Sequence, residues 1–377
     1  LYQHQSKLEL LKGNLEKIGE ASSILSYQTS SSPSQKIELS DGCQNHKEGI
    51  QKILEIFDQE KNNPGSADLI VHRVVHGGTK YRHASLLDLE VKQFIRDMIP
   101  LARTHHPASL ACIEEISEHF PEIPQAVVFD TSFHQTLPEY AWRYALPRKI
   151  SDQYAIRRYG FHGISHQSVV KQAASFLKTP VNKLNLITIH LGNGASISAI
   201  KKGICVDTTM GMTPLEGLVM GTRPGDLDPG ILTLLARKGW NQEALETMLN
   251  QDSGMRGLFG TNDFREILQN KEEGNEEAEM ALELYCYRVR KTIGSFSTVI
   301  GPVDALVFTG GVGENVPTVR KRSVRGMEWM NIQLDPDMND QAEAPCAIHS
   351  KNSQTKILVL PSDEEWEMAS QAAELIL

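Results

Sequence analysis

The sequence lacks long basic runs and long apolar runs, and each absence narrows the range of functions. The 377 residues include 38 basic and 47 acidic side chains, a net charge of −9, and the basic residues form no long cluster. This balance argues against a nucleic-acid partner. No apolar run approaches the roughly 18 to 20 residues of a transmembrane helix, so a membrane partner is not expected. A small anionic ligand is still compatible, because a few local arginines can bind one inside an acidic protein.

Cysteines are also scarce, and their spacing excludes the common zinc motifs. No C-x-x-C pair and no Cys/His cluster with zinc spacing occurs. The five cysteines are widely separated: Cys43, Cys112, Cys205, Cys286 and Cys346. This pattern predicts a reduced, cytoplasmic protein without structural zinc. His162 and His166 have a spacing that can bind metal on a helix, but Gly163 and the neighbouring turn residues argue against a long helix there.

The length predicts two domains, and 40% hydrophobic residues are enough to build their cores. Apolar runs and helical periodicity alternate along the chain, which predicts an α/β protein. The main predicted strands are residues 68–75, 125–130, 184–190, 195–201, 304–308 and 356–360. The main predicted helices are residues 46–57, 86–102, 107–119, 167–177, 231–237, 242–250, 273–300 and 363–377. No internal sequence repeat is visible.

The most informative stretch is residues 186–230. A predicted buried strand runs into a glycine-rich turn, followed by a second predicted strand; the turn consists of His190, Leu191, Gly192, Asn193 and Gly194. Asn-Gly between two strands first of all predicts a hairpin. Such a turn can also let an anion approach backbone N–H groups. Further on, Arg223 lies in a loop kept open by glycines, and phosphate chemistry uses both a backbone cradle and a planar cation.

This segment closely resembles the acetate kinase family. The family's phosphate loop reads His-Leu-Gly-Asn-Gly, and residues 213–218 and 220–226 reproduce its Thr-Pro-Leu-Glu-Gly-Leu and Met-Gly-Thr-Arg-x-Gly-Asp stretches. The resemblance is nearly unbroken over about residues 67–230 and continues in blocks to the end. It implies two ribonuclease-H-like domains of the acetate and sugar kinase, heat-shock ATPase and actin superfamily, with an active-site cleft between them. The implied domains are residues 1–132 plus 367–377, and residues 133–366.

Two residues at predicted strand ends are candidates for the acyl-binding side of the site. Arg73, before Gly77 and Gly78, could bind a small anion or form an edge ion pair. Asp130, after an apolar strand, could act as a base or metal-water ligand, or cap a helix. The resemblance implies that Arg73 binds the carboxylate or phosphoryl group, that Asp130 is an active-site acid, and that Val75 lines a small apolar pocket.

Further matches imply residues around the transferred phosphoryl group. The family's Phe-His-Gly histidine stabilises this group in flight, and residues 157–166 reproduce that motif. The resemblance therefore assigns this role to His162, with Phe161 and Pro214 in the acyl pocket. Arg223 and His105 are implied to support the transition state.

Three stretches resemble the nucleotide and metal contacts of the family. Asp263, Phe264 and Arg265 match its Asp-x-Arg beside the adenosine. A Gly-rich stretch after a predicted strand matches its second nucleotide loop: Gly311, Val312, Gly313, Glu314 and Asn315. Residues 361–365 match its Pro-Thr-Asn/Asp-Glu-Glu, which implies that Glu364 binds Mg²⁺ (or Mn²⁺) through water. The alternative for Glu364 is simple stabilisation of a helix N-terminus.

The resemblance implies reversible phosphoryl transfer from ATP to acetate, giving acetyl phosphate and ADP, in a homodimer. Propionate or butyrate kinase is an alternative, and a non-catalytic nucleotide-binding regulatory protein is an alternative of another class. The family opens with a strand and an Asn-Ala-Gly-Ser-Ser-Ser-x-Lys phosphate loop that nothing here matches. We therefore expect the resemblance to begin one strand and one loop late, and the 377 residues alone to be poorly active.

Overall fold

The structure of the chain, a computed structural model, describes residues 1–30, 32–60, 64–103 and 105–377. These residues divide into two units. The first comprises Leu1–Ser132 together with Glu364–Leu377, and the second comprises Phe133–Asp363. None of the helices in the described ranges is long and apolar enough to cross a bilayer.

The first unit is built from three small sheets and the helices packed on them. Its strands are β1 (Tyr2–Gln3), β2 (Leu8–Glu9), β3 (Leu11–Glu16), β4 (Ser23–Thr29), β5 (Ser32–Leu39), β6 (Ile70–Val74), β7 (Ser85–Leu86) and β8 (Gln125–Phe129). Its helices before the chain enters the second unit are α1 (His46–Gln59), α2 (Leu89–Asp97) and α3 (His106–His119). The sheets have the orders β1-β2, β3-β4-β5 and β6-β8-β7.

The sheet β6-β8-β7 positions the functional end of the first unit. β6 and β8 run parallel with Val74 opposite Phe129, so the residues around their carboxyl ends lie side by side. All five residues of β8 are buried, as their continuous apolar run predicts. Val91 and Ile95 of α2 pack against this core. α2 starts where the Asp88 carboxylate accepts a hydrogen bond from the Val91 N–H at 2.7 Å, an ordinary N-cap.

The second unit is a mixed six-stranded sheet covered by helices. Its helices up to the sheet are α4 (Glu139–Trp142), α5 (Arg148–Gln153) and α6 (Gly163–Phe176), and its strands are β9 (Leu186–Leu191), β10 (Ala195–Lys201), β11 (Ile204–Thr208), β12 (Ala305–Thr309), β13 (Cys346–Ala347) and β14 (Lys356–Val359). The remaining helices are α7 (Pro229–Arg237), α8 (Gln242–Asn250), α9 (Gly254–Phe259), α10 (Phe264–Glu272), α11 (Glu276–Ile300), α12 (Gly310–Asn315), α13 (Pro317–Ser323) and α14 (Pro336–Asp340). α15 (Glu364–Ala373) closes the chain within the first unit.

The six-stranded sheet has the order β11-β10-β9-β12-β14-β13. β9, β12 and β14 are parallel neighbours, whereas β10 pairs antiparallel with β9 through a tight connection. β12 is buried along its whole length, and β10 along all but its last residue. The carboxyl ends of β9 and β12 meet at one edge, with Thr309 opposite His190, and crevices at such edges are where α/β sheets bind ligands.

Two local predictions need correction. The Gly-rich stretch after β12, predicted as a loop, is the short helix α12, because the Glu314 carboxylate accepts from the Gly310 N–H at 2.9 Å and closes its first turn. The helix predicted from residue 167 begins at Gly163, so His166 lies in a regular 14-residue helix after all. His162 precedes it with φ of 55°, in the left-handed region that residues other than glycine seldom occupy.

Candidate active site

In the first unit, Arg73 joins two carboxylates. Its Nε and Nη2 donate to the two oxygens of Asp130 at 2.9 and 2.8 Å, and its Nη1 lies 3.2 Å from Glu364. The Asp130 side chain is 2% exposed and that of Arg73 is 41% exposed. Asp130 foremost, with Glu364, raises the pKa of the guanidinium further above its ordinary value. Arg73 is therefore a fixed, partly exposed guanidinium that is paired with two carboxylates.

This geometry shows which contacts Arg73, Asp130 and Glu364 make within the protein. Arg73 does form an ion pair, but its partner is a buried acid with both oxygens engaged, unlike a solvated edge pair. Asp130 follows β8 and uses its carboxylate on Arg73. Glu364 begins α15, whose first turn also holds Glu365 and Glu367, so it combines a helix-terminal position with the contact to Arg73.

A buried histidine that the sequence did not single out holds the segment after Arg73. The His106 Nε2 accepts from the His76 N–H at 3.1 Å, and its Nδ1 bonds to the Ile95 carbonyl at 2.9 Å. Burial lowers the pKa of His106, which favours the neutral ring that this pattern requires. The predicted residue His105 lies one position earlier, half-buried, at the N-cap of α3. The sequence pattern that could have indicated His106 is His-His-Pro at residues 105–107. The second histidine of this pattern, His106, accepts the hydrogen bond from the His76 N–H.

The acyl-pocket candidates fall into two groups. Val75 is half-buried directly after β6, in the first unit. Phe161 is buried in the second unit, and its carbonyl accepts from the His134 Nε2 at 2.9 Å. A Cβ on Gly160 would lie 2.6 Å from the His134 ring, so only glycine fits at that position. His134 therefore fixes the backbone that carries Phe161. No local pattern in the sequence predicts this contact.

In the second unit, the predicted glycine turn is a hairpin. Leu191 pairs with Ala195, and the Gly192 N–H donates to the Gly194 carbonyl at 2.9 Å. Two cationic or hydrogen-bonding side chains lie over this turn. A Cβ added to Gly194 would lie 3.0 Å from the Arg223 Nη2 and 3.0 Å from the His162 Nε2. The hairpin predicted from Asn-Gly is therefore present, and the phosphate-loop interpretation of the same residues stays a prediction.

The loop that carries Arg223 is held by its own main chain. The Arg223 Nη1 donates to the Pro214 carbonyl at 2.7 Å, and the Arg223 carbonyl accepts from the Met220 N–H at 3.0 Å. Gly254, with φ of 62°, packs so closely that a Cβ would lie 2.2 Å from the Met220 carbonyl oxygen. Burial lowers the pKa of Arg223. Because its side chain bonds to a carbonyl instead of a carboxylate, the charge is positioned without being neutralised.

His162 is part of a group of hydrogen-bonded side chains on α6, β9 and β10. Its ring lies 4.4 Å from the His190 ring, and its Nδ1 bonds to the Ser196 hydroxyl at 2.9 Å. The His190 Nδ1 bonds to the Ser165 hydroxyl at 2.7 Å. Asn193 Oδ1, in the turn itself, accepts from the Asn262 Nδ2 at 2.9 Å.

The nucleotide candidates are placed unequally for contact with a ligand. Asp263 caps α10 and pairs with Arg265 at 2.6 Å, and the Arg265 side chain is 92% exposed. Phe264 is buried, its ring 5.0 Å from the Tyr285 ring, so its side chain belongs to the core. On α12, Gly311 and Asn315 are exposed, Val312 is half-buried and Gly313 is buried.

Glu314 has an internal partner set. Its Oε1 accepts from the Gly310 N–H at 2.9 Å and from the Ser362 N–H at 3.0 Å. The fully buried Arg320 bonds to the carbonyls of Gly313 and Glu314 at 3.0 and 2.7 Å. These contacts brace the start of α12 against the segment that follows β14, which identifies Glu314 and Arg320 as structural supports of this edge.

The acids around Arg73 suit a hard divalent cation. Mg²⁺ keeps several waters and is bound through one or two carboxylates plus substrate phosphates. Glu364, with its side chain 16% exposed, is such a carboxylate, whereas both oxygens of Asp130 accept hydrogen bonds from Arg73. Among the described residues, no group of three or more His, Cys, Asp or Glu side chains forms a complete metal cage. Glu364 therefore fits a Mg²⁺ that takes its other ligands from water and phosphate.

Comparison with known proteins identifies the family. The model of the acetokinase family matches residues 1–370. The acetate kinase of Sulfurovum sp. is 46% identical over 369 residues, which cover 96% of this chain and 92% of that protein. The chain belongs to the acetokinase family. It is a phosphotransferase that uses ATP as donor and a carboxyl group as acceptor.

Solved structures agree with this assignment. The acetate kinase of Porphyromonas gingivalis superposes with a TM-score of 0.91 at 38% identity, covering 100% of this chain and 96% of that one. A propionate kinase from Francisella tularensis gives a TM-score of 0.91 at 36% identity, covering 99% and 95%. These neighbours confirm the predicted α/β fold class.

Proposed function

We propose that the chain transfers the terminal phosphoryl group of ATP to acetate by in-line displacement. The observation that carries this proposal is the placement of Arg223 Nη2 and His162 Nε2 over Gly194. Phosphoryl transfer spreads negative charge over the equatorial oxygens and needs positioned cations and donors more than a strong base. A carboxylate is already a nucleophile, so orientation supplies most of the remaining acceleration.

In this mechanism each residue has a separate task. Arg223 and His162 donate to the oxygens of the phosphoryl group in transit. Arg73 binds the acceptor carboxylate or the transferred group, and Asp130 holds the guanidinium in place. Glu364 would hold Mg²⁺, which would supply charge neutralisation on the nucleotide phosphates. His105 is proposed to support the transition state.

The acceptor is proposed to be acetate in preference to longer acids, with Val75, Phe161 and Pro214 limiting the pocket. Propionate is the main competitor, since the Francisella protein above is a propionate kinase. Trapping the acyl phosphate with hydroxylamine tests both points on the full-length gene product. We expect hydroxamate with ATP, Mg²⁺ and acetate, and less with propionate and butyrate. No hydroxamate with any of the three acids would instead support a non-catalytic nucleotide-binding protein.

The nucleotide is proposed to bind along the edge formed by the β9–β10 turn and the start of α12. Asn193 and His190 lie in the turn, the exposed Gly311 and Asn315 lie on α12, and Arg265 is accessible at the start of α10. Arg265→Ala should raise the KM for ATP with a smaller effect on kcat. An unchanged KM for ATP would remove Arg265 from the nucleotide site.

A homodimer is proposed from the apolar surface of α7 and α8. Neither helix buries a residue, yet Ile231, Leu234 and the following Trp240 are 45%, 54% and 42% exposed. Exposed apolar side chains grouped on one short segment favour an interaction site, and a second copy is the partner that the family implies. Light scattering should give twice the mass of the chain, and Leu234→Glu should reduce the measured mass to that of one chain.

Cytoplasmic location is proposed from the free thiols of all five cysteines and is tested by fractionation.

A further inference from the structure

A continuous chain of side-chain hydrogen bonds leads from the core to His162. The Thr188 Oγ1 lies 2.8 Å from the His166 Nδ1, the His166 Nε2 lies 2.8 Å from the Ser196 Oγ, and the Ser196 Oγ lies 2.9 Å from the His162 Nδ1. Thr188, His166 and Ser196 are fully buried. The three are distributed over β9, α6 and β10, so the chain is fixed by tertiary structure.

Each hydroxyl in this chain has a single proton, and this couples the tautomers of the two rings. Ser196 touches a ring nitrogen on both sides, so it donates to one histidine and accepts from the other. If Ser196 donates to His162, the proton of a neutral His162 is on Nε2. If Ser196 donates to His166, that proton is on Nδ1. The direction of donation along these hydrogen bonds therefore decides whether the His162 Nε2 carries a proton that it can donate towards the glycine turn.

Thr188 fixes that direction. Within the part of the chain that the structure describes, the His166 Nδ1 is the hydrogen-bond partner of the Thr188 hydroxyl, and no second one is found. If Thr188 accepted from His166, its own buried O–H would have no acceptor, which is costly. Thr188 therefore donates to the His166 Nδ1, the His166 Nε2–H donates to Ser196, and Ser196 donates to the His162 Nδ1.

We propose that Thr188, His166 and Ser196 are positioning residues that hold the neutral ring of His162 in the tautomer with its proton on Nε2. This inference rests on the proposed function in one respect, the role of His162 as a donor to the phosphoryl group. His162 Nε2 and Arg223 Nη2 lie over the same glycine. With the opposite tautomer, a lone pair would face the anionic oxygens. Burial lowers the pKa of His166 well below its ordinary value, which agrees with a neutral relay ring.

The test measures the tautomer directly by ¹⁵N NMR of histidine-labelled protein, with the His162 signals assigned by their loss in His162→Asn. We expect the wild-type Nε2 to carry the proton. Thr188→Val keeps the side-chain volume and removes the hydroxyl, and Ser196→Ala removes the bridge, so both should move His162 towards a mixture of tautomers. Thr188→Ser, which retains the hydroxyl, should restore the wild-type signals.

Ser198→Ala is the matched control. Ser198 lies on the same strand, is equally buried, and its hydroxyl bonds to Thr208 at 2.9 Å. The Ser198→Ala variant should leave the His162 tautomer unchanged. If the loss of any buried hydroxyl on this strand changed the tautomer, Ser198→Ala and Ser196→Ala would both change it. In turnover, Ser196→Ala should lower kcat about tenfold or more, with a smaller change in the KM for ATP, as for loss of one oriented donor.

Two results would overturn the inference: a wild-type His162 protonated on Nδ1, or a wild-type tautomer retained in both Thr188→Val and Ser196→Ala. Failure of the proposed function is distinguishable from these, because it would appear as absence of acyl phosphate from the wild-type protein. The tautomer pattern would then still support the relay.

Discussion

Arg73 and Asp130 are joined by two parallel hydrogen bonds, Nε to Oδ1 at 2.9 Å and Nη2 to Oδ2 at 2.8 Å. The parallel pairing of β6 and β8 brings them together, although 56 residues separate them in the chain. The pair fixes the plane of a guanidinium that is otherwise 41% exposed. In the proposed mechanism, Asp130 therefore acts largely through Arg73.

Asp130→Asn should lower kcat by about 10²- to 10³-fold, the scale for loss of a positioned electrostatic group. An amide cannot accept both hydrogen bonds, so the guanidinium loses its fixed plane. The control is Asp152→Asn, since Asp152 also lies near an arginine, Arg148 at 3.6 Å, but is 61% exposed. The control should retain activity. Equal kcat values for the two variants would show that the Asp130 contact is structural.

Arg223→Ala should lower kcat by about 10³-fold, as for arginines that act on a transferring phosphoryl group. The KM for ATP should change much less, because the loop is held by its backbone bonds to Met220 and α9. Arg256→Ala on the adjoining α9 is the control for loss of a nearby cation, since Arg256 is exposed. An intact kcat with a raised KM would mean that Arg223 binds only the ground state.

Gly194→Ala tests whether the space over the hairpin is needed. The new methyl group would lie 3.0 Å from both Arg223 Nη2 and His162 Nε2, so both side chains must move by tenths of an ångström. We expect kcat to fall about tenfold or more, because small misplacements of catalytic groups are costly. Gly294→Ala is the matched control, since nothing lies within 4 Å of its Cβ position. A fully active Gly194→Ala would exclude a close approach at this turn.

Val75→Ala should narrow the preference for acetate over propionate and butyrate. One methylene in an apolar pocket changes the discrimination by about 1 to 3 kcal/mol, so propionate should already react with the unmutated protein. The measurement is the ratio of kcat/KM values for the three acids. A higher kcat/KM for butyrate than for acetate in the unmutated protein would remove Val75 from the pocket.

The sequence predicted the parts of this protein that depend on local pattern. Apolar runs predicted β8, β9 and β12, because a buried strand has no polar face, and Asn-Gly predicted the hairpin. α12 was missed because its closure depends on the Glu314 carboxylate reaching back to Gly310 and across to Ser362. The contact with Ser362 joins residues 48 apart in the chain, and no periodicity encodes it.

The sequence predicted which residues are candidates for the site but not how they are arranged. The family resemblance supplied Arg73, Asp130, His162 and Arg223, but not the partners that hold them. His106, His134 and Ser196 each act on a neighbour 27 to 34 residues away in sequence, through single hydrogen bonds. Buried polar residues of this type resemble ordinary core or strand residues in the sequence, and only the fold shows what they contact.

The buried His106 should make the stability of the first unit depend on pH. Burial lowers its pKa below the ordinary value of 6.5, so the unfolded chain binds a proton that the folded chain does not. The free energy of unfolding should therefore be independent of this group above about pH 7 and fall as the pH drops below about 6.5. The pKa values of His72 and His166 shift in the same direction, so one variant removes only part of the effect.

His106→Asn should be less stable at pH 7.5 by about 1 to 3 kcal/mol, because a hydrogen bond is lost. Between pH 7.5 and 5.5, however, the variant should lose less further stability than the unmutated protein. Urea unfolding at both pH values measures the two losses. His83→Asn is the control, because His83 is exposed and solvated before and after unfolding. A pH dependence in His106→Asn as steep as in the unmutated protein would show that His106 is not among the groups that destabilise the fold in acid.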